Sequence, residues 1–119
     1  VNQKTIEVKR DTIPLASSKV LRNTLTQDET INLIKKYFGK DWEMAVKVSE
    51  CESHLNPNAV SKTQDIGLFQ INLAAHGKRF PKEKLFDPEY NIWAAHTLWI
   101  ESGKHWETHW RSSAKCWRK

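Results

Sequence analysis

Between Val48 and Asn72 the chain reads VSECESHLNPNAVSKTQDIGLFQIN, and three carboxylates in it, Glu50, Glu52 and Asp65, have the chemistry of acid–base catalysts. A carboxylic acid kept protonated near neutral pH can give a proton to a leaving oxygen. A second carboxylate kept ionised can steady positive charge or activate water. Each also has an ordinary reading: a solvated charge, a partner for a nearby Lys or Arg, or, for Asp65, a turn former bonded to its own backbone.

Helix phase separates the two glutamates. A helix with Asp41 as its N-cap must stop before Pro57. At about 100° per residue its apolar stripe is Trp42, Ala45, Val46 and Ser49. Glu52 falls only about 20° from the direction of Ala45, whereas Glu50 lies about 140° away, towards solvent. Partial burial and the negative end of the helix dipole both disfavour the charged form of Glu52, as a general acid requires.

The flanking elements are mainly helical. In LTQDETINLIKKYFG, Thr26 and Glu29 form a capping box, Gly39 stands at a C′ position, and Ile31, Ile34 and Phe38 keep helical spacing. In DPEYNIWAAHTLWIESG, Asp87 caps, Pro88 takes the first turn, Gly103 ends the helix, and Ile92, Ala95 and Trp99 mark the buried stripe. GLFQIN is a brief strand or a packed loop. Residues 1–25 are polar and mixed in charge, with TIEVKRDTI as a weak strand signal. They read as an N-terminal extension or linker, leaving one domain over residues 26–119.

The chain has 119 residues, a net charge of +5 and six tryptophans, with a pI near 9.3. This length makes one domain with a real core. Its basic charge suits polyanionic partners: nucleic acid, anionic membrane or an acidic wall polymer. No apolar run reaches membrane-span length. The tryptophans suit either a core or the aromatic floor of a cleft. Cys51 and Cys116 match no zinc or redox motif, leaving a disulfide or two buried thiols. A bridge would close a loop of about 65 residues, worth roughly 4 kcal/mol, and would persist outside a reducing cytosol.

Three motifs in order give a resemblance. ESHLNPNAVS, then DIGLFQIN, then the NIWAAHTLW part of the later helix resemble the lysozyme-like superfamily, especially the lytic transglycosylase (SLT) and goose-type lysozyme group. The likeness covers roughly residues 40 to 102, with SGKHWETHW as a suggestive tail. It implies an α+β lysozyme-like fold, mainly helical, with a small β element near the cleft. It also implies a monomeric enzyme acting outside the cytoplasm, in the periplasm or at the cell wall, on the β-1,4 bond between N-acetylmuramic acid and N-acetylglucosamine of peptidoglycan. No cofactor, metal, nucleic acid or membrane span is implied.

Carried over residue by residue, the resemblance makes Glu52 the general acid and then base. Ser53 supports the helix end, Gly67 lets the backbone approach the sugar closely, and Gln70 hydrogen-bonds substrate. Asn91 and Ile92 set the later helix against the cleft. The Y-N-A-G-like segment of transglycosylases, whose tyrosine faces the acid, does not follow Gly103, and Tyr90, just before Asn91, is a poor substitute as the substrate-binding tyrosine. Asp65 lies in a D-x-G-x-F-Q-I-N run similar to chicken-type lysozymes, which implies a second working carboxylate and hydrolysis. Without that second carboxylate, transglycosylation giving 1,6-anhydromuramic ends is the alternative.

Two rival readings come from the C-terminal segment. HWETH sets His105 and His109 four apart, the spacing of metal ligands on one helical face, but its glutamate is misplaced for a metalloprotease and no third ligand is evident. HWETHWRSSAKCWRK mixes cations with tryptophans, as a non-catalytic module binding nucleic acid or cell wall would.

Overall fold

The computed structural model describes residues 25–119. The extension read into residues 1–25, with its weak strand, lies outside them apart from Leu25. The first helix, α1 (Gln27–Phe38), starts at the expected capping box: Glu29 N donates to Thr26 Oγ1 at 3.0 Å and Thr26 N to Glu29 Oε1 at 2.8 Å. It buries Thr30, Ile34 and Phe38, and Gly39 closes it at a φ of 54°. A 3₁₀ turn, Gly39–Asp41, leads directly into α2 (Trp42–Ser53).

Asp41 stands at the start of α2 but makes no side-chain capping bond, contrary to expectation. The 3₁₀ turn holds it at φ −94°, ψ 12°, not in the extended conformation that turns a capping side chain back onto the helix. The buried face of α2 is Ala45, Val48, Ser49 and Ser53, with Val46 only half-buried. Glu50 is exposed and Glu52 half-buried, as the helix phase predicts. The helix ends at His54 in the left-handed conformation, three residues before Pro57.

GLFQIN resolves as both of its readings. Strands β1 (Asp65–Ile66) and β2 (Ile71–Asn72) pair antiparallel, Asp65 opposite Asn72 and Ile66 opposite Ile71. The loop between them is packed inside, with Leu68 and Phe69 fully buried. A buried loop must find partners for its backbone, and here side chains supply them. Ser49 Oγ and Ser53 Oγ of α2 both donate to Leu68 O, at 2.9 and 2.8 Å. Trp110 Nε1 donates to Phe69 O at 2.8 Å, and Phe69 N donates to Asn91 Oδ1 at 2.9 Å.

Two short helices follow, α3 (Leu73–His76) and α4 (Lys82–Leu85), then α5 (Pro88–Glu101). Asp87 caps α5 by accepting from Tyr90 N at 2.9 Å, and Pro88 occupies its first turn. Ile92, Ala95 and Trp99 are buried as expected, and so are Tyr90, Asn91, Ala94 and Leu98, because α5 is covered on most sides. The chain closes with α6 (Glu107–Trp110), a 3₁₀ turn at Arg111–Ser113, and α7 (Ala114–Trp117), which packs on α2.

The tryptophans divide between the two readings. Trp99, Trp106, Trp110 and Trp117 lie in the core, while Trp42 and Trp93 are half-buried. Phe38 packs on Phe69, Trp99 and Trp106 with ring centroids 5.2 to 5.9 Å apart, and Trp106 continues the row to Trp110 at 5.3 Å. Rings buried in this way cannot stack on bases. His105 precedes α6 and so does not share a helical face with His109, which packs its ring on His76 at 5.2 Å instead. Among the described residues no helix is long and apolar enough to cross a membrane.

Candidate active site

Glu52 stands in the last turn of α2, a helix bonded to the hairpin loop through Ser49 and Ser53 and to the Arg111–Ser113 turn through Glu52 itself. Burial pushes its carboxyl above the ordinary glutamate range. A hydrogen bond from Ser113 pulls the other way, and the charge of Asp65 adds to the rise. Ser113 Oγ donates to Glu52 Oε2 at 2.7 Å. Trp117 Nε1 donates in turn to Ser113 Oγ at 3.0 Å. The disulfide between Cys51 and Cys116, with Cα atoms 5.9 Å apart, ties the end of α2 to this same segment.

Asp65 shows the opposite displacement. Burial alone would raise it, but hydrogen bonds from Ser61, Thr63 and Asn72 outweigh burial and hold it below the ordinary aspartate range. Ser61 Oγ and Thr63 Oγ1 each donate to Oδ2 at 2.6 Å, and Asn72 Nδ2 donates to Oδ1 at 2.8 Å. The aspartate does shape its turn, since the same Ser61 hydroxyl accepts from Asp65 N at 3.0 Å. Its side chain is nonetheless kept as an anion near enough for Glu52 to feel it. Two carboxylates in one region, one pushed towards the acid and one towards the anion, are suited to divided acid and charge-stabilising roles.

The other residues picked out by sequence sit around this pair in differing ways. Ser53 is buried and joins α2 to the hairpin loop through Leu68 O. Gly67 has a φ of 76°, and a Cβ there would meet Asn91 Nδ2 at 2.4 Å and Leu85 O at 2.7 Å. The close approach its lack of a side chain permits is therefore to the protein interior. Gln70, also at positive φ, turns its amide back onto Gly67 O and Ala59 O at 3.0 and 3.2 Å. Tyr90 is packed between Phe80 and Trp93, with centroids at 6.3 and 5.2 Å. Asn91 is fully buried and bonds Ile66 O, Leu85 O and Phe69 N, fastening α5 to the hairpin.

Ser113 and Trp117 are the residues that motif reading overlooks. Their signal was indirect: pairing Cys51 with Cys116 brings the residue after the first cysteine close to the residue three before the second. The late hydroxyl that reaches Glu52 belongs to this serine, in a chain without the Y-N-A-G-like tyrosine. Among the described residues no group of three His, Cys, Asp or Glu side chains is placed to hold a metal ion.

A protein-family model described as transglycosylase SLT domain matches residues 29–114, a span that includes most of α1, the carboxylate pair, α5 and Ser113. No curated protein and no solved structure matches the chain.

Proposed function

The chain belongs to the transglycosylase SLT domain family, glycosidase-type enzymes that cleave peptidoglycan, and on that premise we propose that Glu52 is its general acid and base. The scissile bond is the β-1,4 link from N-acetylmuramic acid to N-acetylglucosamine. Glu52 protonates the glycosidic oxygen as the bond breaks, then takes a proton from the incoming hydroxyl. The observation carrying this is the half-buried Glu52 carboxyl, raised by burial and held at one oxygen by Ser113. Asp65 is the ionised partner that steadies the positive charge developing on the sugar.

The nucleophile decides the product. Water gives a reducing end and makes the enzyme a muramidase. Asp65 favours this outcome, as a second carboxylate that can hold water or the oxocarbenium-like centre. The 6-hydroxyl of the muramic acid itself gives a 1,6-anhydro end, and the family match favours that outcome. Mass spectrometry of muropeptides released from purified cell walls separates the two, because the anhydro product is lighter by one water. Walls left intact by the native protein would refute both.

A basic surface and a disulfide suit work outside the cytoplasm, on a wall rich in carboxylates and phosphates. The alternative of a non-catalytic binding module loses support from the burial of Trp106, Trp110 and Trp117.

A further inference from the structure

We infer that Ser113, directed by Trp117, is a positioning residue that decides which oxygen of Glu52 carries the catalytic proton. An indole N–H can only donate, so Ser113 Oγ must accept from Trp117 Nε1 at 3.0 Å. The single hydroxyl proton of Ser113 then has two acceptors within reach, Glu52 Oε2 at 2.7 Å and Trp110 O at 3.2 Å. Trp110 O is the poorer choice, being farther away and already accepting from Trp117 Nε1 at 3.2 Å. The hydroxyl therefore goes to Oε2.

This bond serves both charge states without moving a heavy atom. When Glu52 is ionised, Oε2 is an anionic acceptor. When Glu52 is protonated, Oε2 remains a strong, carbonyl-type acceptor if the proton is on Oε1, and is only a weak one if it carries the proton itself. A proton on Oε2 would turn the Ser113 hydroxyl towards the longer bond to Trp110 O. The oxygen that gives and retakes the proton is thus Oε1, and the acid meets substrate with its proton already placed. The Cys51–Cys116 bond keeps donor and acceptor in register.

The surrounding charges leave this relay in control. Glu50 and His54, beside Glu52 on α2, are exposed, as are Arg111 and Lys115 on the C-terminal segment. Asp65 on the hairpin is the charge that Glu52 feels.

The inference rests on Glu52 being the acid, and the test separates the two. In the full chain, 13C NMR of the glutamate carboxyls, with Glu52→Gln assigning the signal, gives the Glu52 titration without any need for activity. Ser113→Ala should move that titration upward by about one pH unit, the worth of a hydrogen bond to a charged group. It should carry the alkaline limb of the lysis rate up with it, and kcat should fall roughly tenfold or more while KM holds. Ser113→Thr should restore both. Trp117→Phe keeps a ring in the core but removes the donor, so it should shift the titration in the same direction by less, and it serves as the second probe if Ser113→Ala folds poorly. An unmoved Glu52 titration in folded Ser113→Ala or Trp117→Phe overturns the relay, even if activity drops. A fully active Glu52→Gln would instead remove the proposed acid while leaving the titration result readable.

Discussion

The covalent bond from Cys51 to Cys116 lies one residue from Glu52 on one strand of chain and three from Ser113 on the other. The hydrogen bond between the Glu52 carboxyl and the Ser113 hydroxyl thus spans 61 residues of sequence but is held in place by the adjacent disulfide. Closing a loop of about 65 residues is worth roughly 4 kcal/mol in the chain-entropy model. Reduction, or replacing both cysteines by alanine, should lower Tm by on the order of 10 °C. Activity should fall while the protein is still folded. Calorimetry with lysis assays below both melting points checks this, and unchanged activity in the reduced folded protein would contradict it.

The glutamates should behave unequally. Glu52→Gln keeps the shape and can still accept from Ser113, but it has no proton to give. Turbidity clearing should drop by about two to four orders of magnitude. Glu50→Gln removes an exposed charge and should leave clearing within about twofold, since surface changes are energetically small. Equal losses would place the acid elsewhere.

The same Glu52→Gln variant should melt higher than the native protein at neutral pH. Burial, reinforced by Asp65, raises the folded-state pKa of Glu52 above its unfolded value. The folded state therefore gains relative to the unfolded one below the unfolded pKa and loses that gain as pH rises through the folded pKa. At neutral pH and above, the native site carries this penalty and the amide does not. The Tm difference should close as pH falls below the ordinary glutamate range. Melting curves from pH 3 to pH 8 would show it, and a Gln variant that is less stable at neutral pH would contradict it.

Asp65→Asn tests the second carboxylate. The change removes the anion while leaving an oxygen to accept from Ser61, Thr63 or Asn72. At least a tenfold loss of rate is expected, about 1.4 kcal/mol of transition-state stabilisation. Full activity, with anhydromuropeptides as the sole product, would leave Asp65 as a turn former and Glu52 working alone.

Gly67→Ala should cost more stability than Gly103→Ala. Both sites have positive φ, 76° and 80°, so both pay roughly 1–2 kcal/mol for a left-handed conformation. At Gly103 the new methyl meets only the ring edge of His105 at 3.3 Å, whereas at Gly67 it meets Asn91 and a backbone carbonyl far inside contact distance. Thermal melts of the two variants decide the point, and equal losses would mean that Asn91 yields without penalty.

What could be read from sequence follows the range of the interactions involved. Helix phase separates Glu52 from Glu50 because every residue between Trp42 and Ser53 continues one helix. The capping box at Thr26 and the cap at Asp87 are equally local, three-residue interactions. Asp41 misleads because the preceding 3₁₀ turn, which no local pattern marks, sets its backbone. The motif around Gly67 suggests a face towards substrate, whereas its neighbours Asn91 and Leu85 come from distant positions that no local pattern reveals. Ser113 is farther still from its partner, and only the cysteine pairing pointed towards it.

A two-stranded ribbon of two residues per strand has no stability of its own in water. Here its loop is fastened by Asn91 from α5, by Ser49 and Ser53 from α2, and by Trp110 from α6. To free it, three helices must give up buried polar partners at once, each leaving an unsatisfied group in the core. The hairpin that carries Asp65 is therefore fastened into the core and is not a flap. In the proposed reaction this hairpin should then stay fixed, and the glycan chain, not the protein, should do the bending.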